Sequence, residues 1–313
     1  MTLQYKGGAR YPGPLGAFTG GIGGRIPGPL GFRQVNVAQG GATKAVKALT
    51  MPPPTKSSTV MRARTVPWNL SKKKPVPDDV KQGELANCPV GAILAALAHT
   101  AIGKTHLDNM ITEYINASVE TTLPNDVMTL LSSEKQEGGN SDYTPQVKTL
   151  RSNRYFTVTL GATIEVSDAF YVMGSNDTFA DMVYMDSPTE ALWPCVIEKA
   201  YAVKLKSYED LDDSAKHPVE EFWAVLVGSK PGILIVDEKT DLEKIRNAAK
   251  AAPKIPTIGA SRDDAKKVDS DHGYAVLGIQ GSMIQLYNPW GKTETISPEG
   301  FRSNFERIYF GKP

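Results

Sequence analysis

The chain has 313 residues and a formal net charge of only +1, yet twelve Lys and Arg and no acidic residue precede Asp78, while the remainder sets 23 basic residues against 34 acidic ones, a net of −11. No N-terminal leader pattern is seen, and no uncharged apolar run reaches the roughly 18 residues of a spanning helix, so neither a signal peptide nor a membrane span is expected. Two cysteines, Cys88 and Cys195, are too few and too far apart for a disulfide framework and fit a reducing compartment, so a cytoplasmic protein, or one delivered into a target-cell cytoplasm, is expected.

Twelve of the 28 glycines fall at or before Gly41, beside Pro12, Pro14, Pro27 and Pro29, a composition that neither nucleates helix nor fills a core. Residues 1–77 are read as a basic, Gly/Pro-rich N-terminal arm and linker, and residues 78–313 as the folded domain. Pro12-Gly13-Pro14-Leu15-Gly16 recurs as Pro27-Gly28-Pro29-Leu30-Gly31; two copies are too few to stack into a solenoid. A free solvated tail is the default reading of such an arm. Phe18 and Phe32 are candidate tips for insertion into a partner. The arm shows no nucleic-acid-binding motif, which disfavours DNA or RNA relative to a carrier, an inhibitor or immunity protein, or the acidic domain itself.

Past the Lys72-Lys73-Lys74-Pro75 cluster, Pro89 to Ala98 predicts a helix, with proline in the first turn and Ile93, Leu94 and Leu97 at helical spacing. Further helices are predicted over 107–118, 189–204, 217–226 and 240–251. Short β-branched and aromatic runs predict strands over 155–160, 233–237, 274–279, 283–287 and 307–310. Helices concentrate early in the domain and strands late, which points to an α+β fold. Gln280-Gly281-Ser282 reads as the turn of an antiparallel hairpin.

The chemistry-bearing residues follow from this arrangement. Cys88 sits immediately before the first helix, where unpaired N–H groups and the macrodipole favour a thiolate. His99 and His106 lie too far along the chain to reach back, and His217 precedes another helix. His272 begins the terminal hairpin, and Asn288, sixteen residues on, lies across its turn. The Asn288 amide oxygen is expected to take the Nδ1–H of His272 and leave Nε2 facing the thiol. Gln82, six residues before Cys88, can offer its amide N–H₂ beside the Cys88 N–H to a developing oxyanion. These roles describe acyl transfer, although single Cys, His and Asn residues occur in many chains. Cys195, inside an apolar helix, reads as a buried structural thiol.

Four segments carry a family resemblance. Gln82-Gly83-Glu84-Leu85-Ala86-Asn87-Cys88, the helix segment Leu192-Trp193-Pro194-Cys195-Val196-Ile197-Glu198-Lys199-Ala200-Tyr201-Ala202, Asp271-His272-Gly273-Tyr274-Ala275-Val276 and Asn288-Pro289-Trp290-Gly291 resemble, in order, motifs of the calpain-like cysteine proteases. The resemblance spans roughly residues 80–310 and stops at the arm. It implies a papain-like, two-lobed core, a helical lobe with Cys88 and an antiparallel β lobe with His272 and Asn288. Cys88 is then the nucleophile, His272 the base and acid, Asn288 the orienter, Gln82 the oxyanion donor, and Trp290 a shield over the His–Asn hydrogen bond. Ala86-Asn87 stands where the family has Gly-Asp, and Pro89 replaces its Trp, which leaves substrate preference open. No D-x-[DN]-x-[DN]-G loop occurs, so control by an EF-hand module is not expected. No cofactor is required, and calcium dependence stays open.

The expected activity is a thiol endopeptidase acting on protein substrates, with the architecture suggesting a bacterial effector or toxin. The alternatives are a glutamine deamidase or transglutaminase-like acyltransferase using the same residues, and an inactive protease fold that serves as a binding module.

Overall fold

The computed structural model describes residues 61–65, 68–70, 74–83, 85–115, 154–173, 182, 184–205, 208, 211 and 217–313, all within one compact unit, Val46–Pro313. The Pro-Gly repeat, Phe18 and Phe32 lie outside these residues.

Cys88 to His99 is apolar around nearly its whole circumference, a pattern that suits only a central helix. Helix α1 (Cys88–His99) is accordingly buried from Cys88 to Ala98. Helix α2 (Ala101–Met110) follows, its N-cap Thr100 hydroxyl accepting the Gly103 N–H at 3.0 Å. The predicted helix over 107–118 is therefore corrected. Helix ends at Met110, and β-branched Ile111 and Thr112 enter strand β2 (Ile111–Ile115), antiparallel to β3 (Arg154–Thr159). Strand β4 (Thr163–Ser167) completes a three-stranded sheet in the order β2-β3-β4.

A two-stranded sheet pairs strand β1 (Met61–Thr65) with β5 (Ala169–Met173). Strand β1 and the Asn69 bridge to Ala191 fall inside the stretch that composition gave to arm and linker. Strand pairing is carried by backbone groups, which charge and glycine counts do not register.

Helix α3 (Trp193–Leu205) is buried from Trp193 to Ala202, and α4 (Val219–Val227) buries Phe222, Trp223, Leu226 and Val227. The remaining chain alternates β6 (Gly232–Ile235), α5 (Leu242–Ala251), β7 (Thr257–Ser261), β8 (Gly273–Gln280), β9 (Met283–Asn288), β10 (Lys292–Ile296), α6 (Pro298–Asn304) and β11 (Phe305–Phe310). These strands form one antiparallel sheet in the order β10-β9-β8-β7-β11-β6. Helix and antiparallel sheet are both present, as an α+β fold requires, but they interleave along the chain rather than dividing into early helices and late strands: β1 to β5 lie among the first helices, and α5 and α6 lie among the last strands. The β8–β9 hairpin turns where predicted.

Both faces of the large sheet are covered, and the period-2 alternation of side chains shows how. Along β8, Ala275 and Leu277 join the core that contains α1, α3 and α4. Tyr274 and Val276 point the other way, into a second core with Ile245 of α5 and Phe301 of α6. The first face is the one that brings the end of the sheet to the N-terminus of α1.

Candidate active site

Two close approaches dock α1 on the hairpin. A Cβ on Gly91 would stand 2.9 Å from Cβ of Pro289, and one on Gly273 would stand 3.3 Å from the Cys88 carbonyl oxygen. Glycine at both positions lets the first turn of α1 meet the start of β8 and the turn after β9. Cys88 Sγ accepts the Gly273 N–H at 3.4 Å and lies 4.0 Å from the Asp271 carbonyl oxygen. The thiol thus rests on the backbone on both sides of His272. Asp271 adopts φ 48°, a left-handed conformation uncommon outside glycine that recurs where a functional loop is over-determined by its surroundings.

The start of β8 is pinned to the end of β7. His272 N–H donates to Ser261 Oγ at 2.9 Å, and Ser261 N–H donates to the His272 carbonyl at 2.9 Å. The His272 ring has Nε2 2.9 Å from Asn288 Oδ1. This places Asn288 beside His272, as the hairpin length predicted, but reverses the expected roles of the two ring nitrogens. Nε2, not Nδ1, is the nitrogen that donates to Asn288, because the end of β9 presents the amide to the far edge of the imidazole. Nδ1 is left for the thiol. No thiol–imidazole hydrogen bond is formed in this resting arrangement.

The Asn288 amide is held from four directions. Its Oδ1 also accepts the Trp290 backbone N–H at 3.0 Å. Its Nδ2 donates to Asp269 Oδ2 at 2.9 Å and, at 3.4 Å, to Glu294 Oε1. The Trp290 indole lies 4.6 Å from the His272 ring, centroid to centroid, tilted by 42°, and stays 45% exposed on its outer side. Tyr274 meets the same imidazole edge-on at 5.0 Å.

Gln82 is fixed through its backbone, whose N–H donates to the Pro289 carbonyl at 2.7 Å. Its side-chain Nε2 donates to the Leu85 carbonyl at 2.6 Å, while Oε1 is buried without a partner. The amide is therefore turned into its own loop, with one of its two N–H bonds committed to Leu85.

Electrostatics corrects the expectation of a depressed thiol pKa. Cys88 is 5% exposed, and burial pushes its thiol up to about 12, against the opposing Gly273 N–H and with a smaller contribution from the Asp271 carboxylate. A rise from 9.0 to about 12 is worth about 4 kcal/mol, well beyond the ~0.3–1 kcal/mol a helix N-terminus supplies. Burial also holds the His272 pKa below its ordinary value, opposed by the Asn288 hydrogen bond and the Asp269 charge. Burial thus favours the uncharged form of both groups.

The other histidines are engaged elsewhere. His99 Nε2 meets the Leu277 carbonyl at 2.6 Å, His106 Nε2 meets that of Leu226 at 2.8 Å, and His217 pairs with Glu221 at 3.3 Å. Cys195 is buried in α3 with its pKa raised well above the usual thiol range, chiefly by burial. Sequence reasoning missed Asp269, Ser261 and the Glu198–Asn87 pair. The acidic Asp269-Ser270-Asp271 run just before His272 was the available signal for the first.

Residues 155–299 match the profile of the calpain family cysteine proteases. Calpain-13 of Rattus norvegicus is 30% identical over 145 residues, covering 42% of this chain and 21% of the rat protein. Residues 155–299 are thus similar to part of a calpain-like cysteine protease core. The profile match includes α3, His272, Asn288 and Trp290, while Gln82 and Cys88 precede it and enter the site through the contacts described above. The chain spans only about a fifth of the length of the rat relative. Among the described residues, no helix is long and apolar enough to cross a membrane.

Proposed function

We propose that the chain is a thiol endopeptidase in which Cys88, His272 and Asn288 cleave peptide bonds of protein substrates. The observation that carries this reading is the His272 Nε2 to Asn288 Oδ1 hydrogen bond of 2.9 Å, formed where Cys88 Sγ already contacts the residues flanking His272. Asn288 keeps the proton on Nε2, so the lone pair on Nδ1 is free to receive the thiol proton.

The reaction follows from that tautomer. Nδ1 takes the proton from Sγ as the sulfur attacks the scissile carbonyl, and the oxyanion is met by the Cys88 N–H and the uncommitted N–H of the Gln82 amide. The imidazolium then protonates the departing amine, leaving a thioester on Cys88. Water, deprotonated by Nδ1, adds to the thioester and releases the acid and the thiol. Trp290 keeps bulk water from the imidazole face during both transfers.

Cys88 and His272 are 5% and 6% exposed, so substrate binding has to uncover them before the proton moves. We place the site at the junction of two papain-like lobes, the helical one built on α1 and the β one on the six-stranded sheet, so that a small rotation between them would open it. The basic N-terminal segment is proposed to dock the acidic body on a carrier, an inhibitor or a target, as in an effector. A test is intact-mass detection of an acyl-enzyme after mixing with an activated peptide ester. An adduct on Cys88 that accumulates in wild type and is absent in His272→Ala supports the reading; equal adducts in both overturn it.

A further inference from the structure

We propose that Asp269 is a positioning residue that selects the productive tautomer of His272 by fixing the amide of Asn288. The inference rests on the thiol-protease reading above and extends its hydrogen-bonded chain by one carboxylate.

An asparagine amide has two orientations of nearly the same shape, related by rotation through half a turn, and only its partners distinguish them. In the observed orientation Nδ2 faces Asp269 Oδ2 at 2.9 Å and Glu294 Oε1 at 3.4 Å, and Oδ1 faces His272 Nε2 and the Trp290 N–H. Rotation would press Oδ1 against two carboxylates and Nδ2 against a backbone N–H. Of the two carboxylates Asp269 is the closer, and it is itself immobilised. Tyr274 Oη donates to Asp269 Oδ2 at 3.0 Å and accepts the Asp269 N–H at 2.8 Å, while Ser261 Oγ donates to the Asp269 carbonyl at 2.6 Å.

Two consequences reach the reacting atoms. With Oδ1 held toward the ring, Nε2 must carry the proton and Nδ1 must be the base. The Asp269 charge, transmitted through a polarised amide, also stabilises the imidazolium formed when the thiol is deprotonated. The other charged or titratable groups near the imidazole are Cys88, the adjacent Asp271, Tyr274 and Glu294. None of them donates to or accepts from Asn288 at under 3 Å.

The test is Asp269→Asn, which keeps shape and removes charge, read by ¹⁵N NMR of the imidazole and by steady-state kinetics. Wild type is expected to show the Nε2–H tautomer. The variant is expected to show a mixture with Nδ1–H, a His272 pKa lower by roughly one unit, and kcat reduced by roughly 10–100-fold with KM little changed. Unchanged tautomer and pKa, with kcat within about twofold, would overturn the proposal. Should Asp269→Asn fail to fold, Tyr274→Phe decides: freeing Asp269 is expected to mix the tautomers and lower kcat several-fold, and an unmixed tautomer overturns the idea. The NMR readout needs no turnover. A wild type that hydrolyses nothing yet shows the tautomer shift in the variant would refute the protease reading alone.

Discussion

Glu198 offers a test of how helix α1 is seated, because it is a carboxyl buried to 1% exposure and bonded to Asn87, the N-cap of that helix. Its Oε1 accepts from Asn87 Nδ2 at 2.7 Å and its Oε2 from the Met185 N–H at 2.7 Å. Burial outweighs both donors and raises its pKa from 4.5 to about 7. Below pH 4.5 the carboxyl is protonated in folded and unfolded chains alike and costs nothing. Between 4.5 and about 7 only the unfolded chain ionises, so stability is lost as pH rises through this window and then levels off. Integration over pH 5–8 gives a loss of roughly 2.5 kcal/mol from this one group. In Glu198→Gln the titration is gone. The buried, unpartnered Asn87 Oδ1 can rotate to accept from the new amide, which keeps the variant folded. Urea unfolding followed by tryptophan fluorescence at pH 5, 6, 7 and 8 measures both proteins, and groups common to both cancel in the difference. The stability of Glu198→Gln relative to wild type is expected to rise by roughly 2.5 kcal/mol from pH 5 to pH 8. A difference that stays flat to within about 0.5 kcal/mol would show that Glu198 titrates alike in the folded and unfolded chain, and would refute the reasoning.

Three further outcomes follow from the same geometry. Gly91→Ala sets a Cβ 2.9 Å from Pro289, so separation of α1 from the Asn288 turn should cost about 1–3 kcal/mol and lower kcat/KM, measured by urea unfolding and peptide hydrolysis. Because burial holds the Cys88 thiol at about 12, its alkylation by iodoacetamide without substrate should keep accelerating up to pH 10; a plateau near neutrality would reveal a standing thiolate. Trp290→Ala removes a ring that is 45% exposed, so stability should change by less than about 1 kcal/mol while hydrolysis slows as water reaches His272.

The elements that position the site were the most legible in the sequence. An all-apolar stretch after Cys88 can only be a buried helix, and the β8–β9 turn sets His272 and Asn288 across one hairpin. What escaped was whatever depends on partners distant in the chain. Strand β1 hides in a basic segment because its antiparallel pairing with β5 is a backbone ladder, to which composition is blind. Helix α2 ends at Met110 because β3 offers Ile111 and Thr112 an antiparallel neighbour, which local periodicity does not reveal. The choice between Nδ1 and Nε2 turns on which edge of the imidazole the end of β9 reaches. The thiol pKa was misjudged for a related reason: a helix N-terminus is visible in sequence, whereas the burial that outweighs it depends on the start of β8, distant in the chain, closing over Cys88.

The central claim is that Cys88 is the nucleophile of a protease. Incubating wild type and Cys88→Ala with an unfolded protein substrate, and sequencing the products by mass spectrometry, tests it most directly. The account predicts new N-termini generated by wild type and none by the variant. Fragments formed equally by Cys88→Ala, or a wild-type product of unbroken chain with glutamine converted to glutamate, would contradict it.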